Sequence, residues 1–291
     1  MHTMASSVSK TNWHDLRARL ISAAVIVPVA LACIVVGGAA FDIMVALATV
    51  GMVHEGATML GQSWQVRAGN WRGLLLLAWP AVAMIAALRD QWGAAIGVMF
   101  AGFIFGAASW AVLWVAILGG LSLLWLRHLP SYGTVSILFV ILVVIASDTF
   151  AYVAGRLFGG PKLAPRISPG KTRSGALGGL AGAAVVGAMV AAVSAPGTWA
   201  GGLVFGALLG VASQCGDLTE SAAKRRLGVK DSGRIIPGHG GLLDRFDGLL
   251  AAAPLAALFS LAVSGRPFWS ATAADLAHAL FSVPVGLFPA S

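Results

Sequence analysis

Charged residues are scarce in this chain: they make up 10% of its 291 residues, whereas 58% are hydrophobic, and the mean hydropathy is +0.86. A soluble domain carries about a quarter charged residues, so a water-soluble globular fold is excluded and domains cannot be counted from length. Cysteine is nearly absent. Cys33 and Cys215 sit singly in apolar stretches, with no CxxC pair and no Cys/His cluster at zinc-ligand spacing, so neither a disulfide framework nor a zinc site is implied. The GxxxxGK[ST] pattern of a phosphate-binding P-loop is missing as well. The net charge of +8 could suggest nucleic acid, but the basic residues are confined to short segments between apolar runs, as orientation signals are, which argues against a nucleic-acid partner.

What is abundant is glycine, at 37 copies, which suits helices that approach closely in lipid. Apolar segments of roughly 17 to 25 residues cross a bilayer, and reading between charges and turns predicts nine, near 20–38, 40–59, 73–88, 91–107, 109–127, 134–156, 176–194, 198–216 and 247–264. The first follows Lys10, Arg17 and Arg19 and is too long for a signal-peptide core, so it reads as a retained anchor. The uninterrupted run Trp92–Leu126 must fold back near Ala107. With the N-terminus inside, sixteen of the nineteen basic residues fall on the cytoplasmic side, leaving Arg89, Arg127 and Arg266 outside. The expected architecture is an all-α polytopic membrane protein. Residues 1–133 form an N-terminal region of about five helices, 134–264 a catalytic region with cytoplasmic loops 157–175 and 217–246, and 265–291 an extracytoplasmic tail.

Four constellations carry chemistry. Asp217, Glu220, Ser221, Lys224 and Arg225 share one face if the eighth span continues as a helix beyond the membrane; the plain alternative is a salt-bridged helix end. Lys230 and Asp231 open a loop in which Pro237, Gly238, His239, Gly240 and Gly241 let backbone N–H groups approach an anion, just before a helix led by Asp244, Arg245 and Asp247. Helix capping is its alternative. Asp148, Tyr152 and Arg156 form a stripe in the sixth span, where an ionisable group is costly and marks either a site or a structural ion pair. His54 and Glu55 in the second span are a weaker case. The loop from Lys162 to Gly175, with Ser168, Lys171 and Thr172, suits a polyphosphate or anionic headgroup, or is an ordinary positive-inside loop. Metal-capable carboxylates, phosphate-capable loops and a membrane setting together point to phosphoryl or nucleotidyl transfer to a lipid. One or two magnesium ions held by Asp217 and Asp244 can bridge the attacking and leaving oxygens.

The segment Ser221–Asp247, SAAKRRLGVKDSGRIIPGHGGLLDRFD, resembles the signature of phosphatidate cytidylyltransferases (CDP-diacylglycerol synthases), S-x-x-K-R-x4-K-D-x-G-x3-P-x-H-G-G-x2-D-R-x-D, with every fixed position filled. GDLTES before it, DTFAYVAGRLFGG at 148–160 and KLAPRISPGKT at 162–172 look like further family regions. The resemblance implies transfer of CMP from CTP to phosphatidic acid, with magnesium as cofactor, and a homodimer. Asp217 and Asp244 would be metal ligands with Asp148 at or near the same site, and Lys224, Arg225, Lys230, His239 and Arg245 would neutralise phosphate. Ser168, Lys171 and Thr172 would line the cleft, joined in holding substrate by Tyr152, Arg156, Ser221, Asp231, Gly240, Gly241 and Asp247. Ser174 stands where many members carry an acid, and Gly170 where lysine is frequent. A CDP-alcohol phosphotransferase or lipid kinase is the alternative, although the former's DGxxAR-type repeat is not found; a multi-pass transporter leaves the Gly-His-Gly-Gly loop unexplained.

Overall fold

A computed structural model describes residues 8–61, 70–233, 235–236 and 240–281, without the side chains of 8–20 and 280. His239, with Arg234, Pro237 and Gly238, lies outside the described residues. The helices are α1 (Val8–Val36), α2 (Gly38–Met59), α3 (Trp71–Leu88), α4 (Trp92–Ala101), α5 (Ala107–Arg127), α6 (Gly133–Phe158), α7 (Arg173–Ser194), α8 (Trp199–Arg226), α9 (Leu243–Ser260) and α10 (Ala273–Phe281).

Each of the nine apolar segments falls on a helix, and the all-α polytopic architecture holds, although not every one of these helices qualifies as a span. Among the described residues, six helices are long and apolar enough to cross a membrane: α2, α3, α5, α6, α7 and α8. In α1 the described side chains are those of Ile21–Val36, an apolar run at the end of the helix. α4 gives way to a 3-10 turn at Gly102–Phe105, and the chain reverses at Gly106, whose φ of 92° suits glycine. α9 carries Asp244, Arg245 and Asp247 within 18 residues, too much charge for a plain span.

α6 packs along α7, α7 along α8, α8 along α9, α9 against α5 and α5 against α2. Lipid supplies no hydrophobic drive between helices, so close backbone contact must hold them. Glycine permits it. A Cβ at Gly206 on α8 would sit 2.5 Å from the Ala183 carbonyl oxygen of α7, and one at Gly179 on α7 would sit 2.7 Å from the Ser147 carbonyl oxygen of α6.

The segment after α9 turns back into the bundle. A 3-10 turn, Phe268–Ser270, inserts two fully buried rings: Trp269 stacks on Phe139 of α6 at 4.6 Å, and Phe268 meets Phe205 of α8 edge-on at 5.9 Å. Trp269 Nε1 donates to Thr198 Oγ1 at 3.1 Å, so its polar edge is satisfied. Trp269→Ala is expected to lower the thermal midpoint in detergent, with a loss of about 3 to 5 kcal/mol. Next, α10 opens with reciprocal capping, since Asp275 N donates to Thr272 Oγ1 and Thr272 N to Asp275 Oδ2. That backbone bond from Thr272, then its hydroxyl and Arg266, hold the half-buried Asp275 carboxyl below its usual range.

Candidate active site

Asp148, Tyr152 and Arg156 lie at successive i+4 positions on α6, so one stripe presents an acid, a ring and a guanidinium. The Arg156 guanidinium sits over the Tyr152 ring at 5.4 Å. Beyond α6, the segment expected to be a plain loop forms a two-stranded antiparallel hairpin, β1 (Lys162–Ala164) with β2 (Ser168–Thr172), paired Lys162 to Thr172 and Ala164 to Ser168. It folds over the stripe and delivers Lys171 to Asp217 of α8, where the two form an ion pair. A cleft of about 680 Å³ results, walled by Asp148, Tyr152, Arg156, Lys171, Thr172 and Asp217.

Hydroxyls fix the cleft's rim. Thr172 Oγ1 caps α7 by accepting from Gly175 N at 3.1 Å. Ser174, at the position where an acid was expected from the resemblance, donates to the Gly159 carbonyl at the end of α6, tying the base of the hairpin shut. Gln214 is a cleft residue that the sequence reading missed; its Nε2 donates to the Ala176 carbonyl at 3.1 Å, bridging α8 to α7. The signal was available, since Gln214 lies three positions before Asp217 and shares its helical face.

α8 does continue as a helix to Arg226, so Asp217, Glu220, Ser221, Lys224 and Arg225 share a face as the spacing predicts. Ser221 Oγ donates to Asp217 Oδ1 at 3.4 Å. Lys224 Nζ stands 2.7 Å from Glu220 Oε2 and 2.5 Å from Asp244 Oδ1, joining α8 to the start of α9. Asp244 Oδ2 accepts from the backbone N–H groups of Ser232 at 2.9 Å and Gly241 at 3.0 Å, so one oxygen holds the loop while the other holds Lys224. Gly240 allows that turn with a φ of 83°. Arg225 Nε donates to the Ile167 carbonyl at 3.3 Å and so clamps the hairpin turn. Asp247 Oδ1 accepts from Gly248 N, and its carboxylate lies within electrostatic reach of Asp217, Glu220 and Asp148. Ser168, Lys230, Asp231 and Arg245 are not on the cleft wall; Lys230, Asp231 and Arg245 are exposed around the loop.

Among the described residues no three His, Cys, Asp or Glu side chains form a ready metal cage. The donors that do gather are all oxygens: Asp148 and Asp217 share the cleft, with Asp247 in electrostatic reach of both. Magnesium binds through one or two carboxylates plus substrate phosphate oxygens, so an open carboxylate set of this kind fits it without a closed cage.

Fold and cleft define a polytopic membrane protein in which a hairpin, α6 and α8 enclose a cleft lined by acidic and basic side chains. The chain belongs to the cytidylyltransferase family, whose model matches residues 17–263. It is similar to a Brucella abortus protein named phosphatidate cytidylyltransferase, 42% identical over 262 residues, which covers 84% of this chain and 93% of the relative. Proteins of that name from Haemophilus influenzae (46% over 138 residues; 45% of this chain and 48% of the relative) and Staphylococcus saprophyticus (43% over 155 residues; 53% and 59%) match shorter stretches. The spanning helices and bacterial relatives make this a multi-pass inner-membrane protein.

Proposed function

We propose that the chain transfers CMP from CTP to phosphatidic acid, giving CDP-diacylglycerol and pyrophosphate. The observation that carries this reading is the convergence of the Asp148–Lys171–Asp217 cleft and the Glu220–Lys224–Asp244 network along one face of one helix, α8. A phosphate oxygen of the lipid attacks the α-phosphorus of CTP; the new P–O bond forms as the bond to the pyrophosphate oxygen breaks. The lipid phosphate is already anionic near neutral pH, its second pKa being about 6 by analogy with phosphoserine, so no strong base is needed. The task is to align two anions and neutralise them.

In this reading Lys171, Lys224 and Arg156 supply positive charge around the phosphates. The Gly240–Gly241 turn is set by Asp244, which takes up the Gly241 N–H, and His239 donates to phosphate rather than acting as an obligatory base. Magnesium, held by Asp148 and Asp217 with Asp247 or Asp244 beside them, would offset the charge that develops on the phosphate oxygens. The excess of basic residues in the hairpin and the α8–α9 loop favours the cytoplasmic face for this site.

Purified protein given phosphatidic acid and CTP should release pyrophosphate and form lipid-linked CDP, with both lost on adding EDTA and restored by magnesium. Product from ATP but not CTP, or nucleotide-independent solute flux without product, would overturn the assignment.

A further inference from the structure

Glu55 is the most deeply buried acid in the described structure, at 1% exposure on α2, and is not on the cleft wall. An ionised side chain inside a bundle needs donors or a counter-charge. Among the described residues no basic side chain pairs with it; its partners come instead from the far end of the sequence. Its Oε2 accepts from the Ser232 hydroxyl at 3.2 Å and from the Leu243 backbone N–H at 3.0 Å, residues 177 and 188 positions further on. No donor among the described atoms meets Oε1.

The loop is shaped to receive this carboxylate. A Cβ at Gly241 would lie 2.7 Å from Oε2, and one at Gly233 would overlap Oε1; one turn back on α2, a Cβ at Gly51 would lie 3.1 Å from the Leu242 side chain. Two glycines thus form the notch into which α2 inserts its acid. The contact is relayed onward. Ser232 Oγ, while donating to Glu55, accepts from Asp244 N at 3.3 Å, and Asp244 in turn holds Ser232 N, Gly241 N and Lys224. Glu55 therefore grips both ends of the 232–243 loop, and the loop carries Asp244.

We propose that Glu55 is a positioning residue for the transfer reaction: through Ser232 and Leu243 it fixes the loop so that Asp244 and Lys224 are held ready for the substrate phosphates. This rests on the function proposed above. It gives the N-terminal helices a defined task at a site otherwise built from α6 to α9.

The test uses the full-length protein in detergent with Glu55→Gln, Ser232→Ala and the double variant, measuring kcat, both KM values, the thermal midpoint and hydrogen–deuterium exchange by mass spectrometry. Glu55→Gln keeps the side chain's shape but loses its charge and one acceptor. Its kcat should fall about 10- to 100-fold, the size expected when hydrogen bonds to a buried charged group are lost, with both KM values within about threefold. Exchange should quicken across 232–243 and not in α7, and the double variant should be no worse than the worse single one, because both act through one chain of contacts. Unchanged kcat and exchange in Glu55→Gln would overturn the proposal. So would faster exchange spread over all helices with a matching fall in midpoint, which marks ordinary packing. If the unsubstituted protein makes no CTP-dependent product, the reaction assignment fails, while the exchange measurement still decides whether Glu55 holds the loop.

Discussion

Asp244→Asn is expected to fold and to lose about 10²- to 10³-fold in kcat, the usual cost of removing one electrostatic element from a preorganised site. The substitution keeps the side chain's size and leaves one oxygen able to accept from Ser232 N or Gly241 N. It removes the charge that faces Lys224. Breaking a part-buried ion pair ordinarily destabilises a protein by stranding the other charge, but here Glu220 stays 2.7 Å from Lys224 and keeps it paired. The loss should therefore show in turnover far more than in thermal midpoint. Initial rates of pyrophosphate release, measured beside unfolding curves in the same detergent, check this. Wild-type turnover in the variant would remove Asp244 from the mechanism, and collapse of the midpoint would mean that Glu220 does not substitute.

Gly206→Val should be the most damaging substitution in the bundle away from the site. At this crossing α7 and α8 meet backbone to backbone: a Cβ would sit 2.5 Å from the Ala183 carbonyl oxygen and 3.1 Å from Gly187 Cα, and neither is a flexible side chain able to swing aside. Overpacking usually costs about 1 to 3 kcal/mol where neighbours can adjust, and here the helices themselves must separate. A cost at or above the top of that range is expected, read as a fall in midpoint or as loss of monodisperse protein on size-exclusion chromatography. Gly97→Ala on α4 is the matched control, because nothing lies within 4 Å of its Cβ position. A Gly206→Val protein as stable as the control would show that α7 and α8 are not held by close contact.

The helices were legible in the sequence because lipid leaves little else for long apolar runs to do, and the turn at Gly106 followed from a run twice too long for one crossing. The stripe on α6 and the charged face of α8 were legible for a related reason: side chains four apart on a helix share a face whatever surrounds them. The hairpin was not. Its strands are three and five residues long, and Pro165, Pro169 and Gly170 read as loop, so only its closure over α6 reveals the pairing. The number of spans was less legible than the helices, because an apolar run shows that a helix exists, not that it crosses, and α9 starts among charges. Least legible was Glu55, since one acid in a span carries no pattern that points 177 residues ahead to Ser232. The family resemblance was specific where motifs lie and silent about which carboxylates organise the loop and which open onto the cleft.

The stacking of Trp269 on Phe139 bears on how the protein is made. Chains emerge N-terminal end first, so α6 and α8 enter the membrane well before the aromatic pair of the 3-10 turn is synthesised. Until Phe268 and Trp269 arrive, Phe139 lacks both of its ring partners and Phe205 has only Phe259 of α9, so the newborn bundle has an open seam at the end that they fill. Sealing that seam is therefore a late event in the making of the protein.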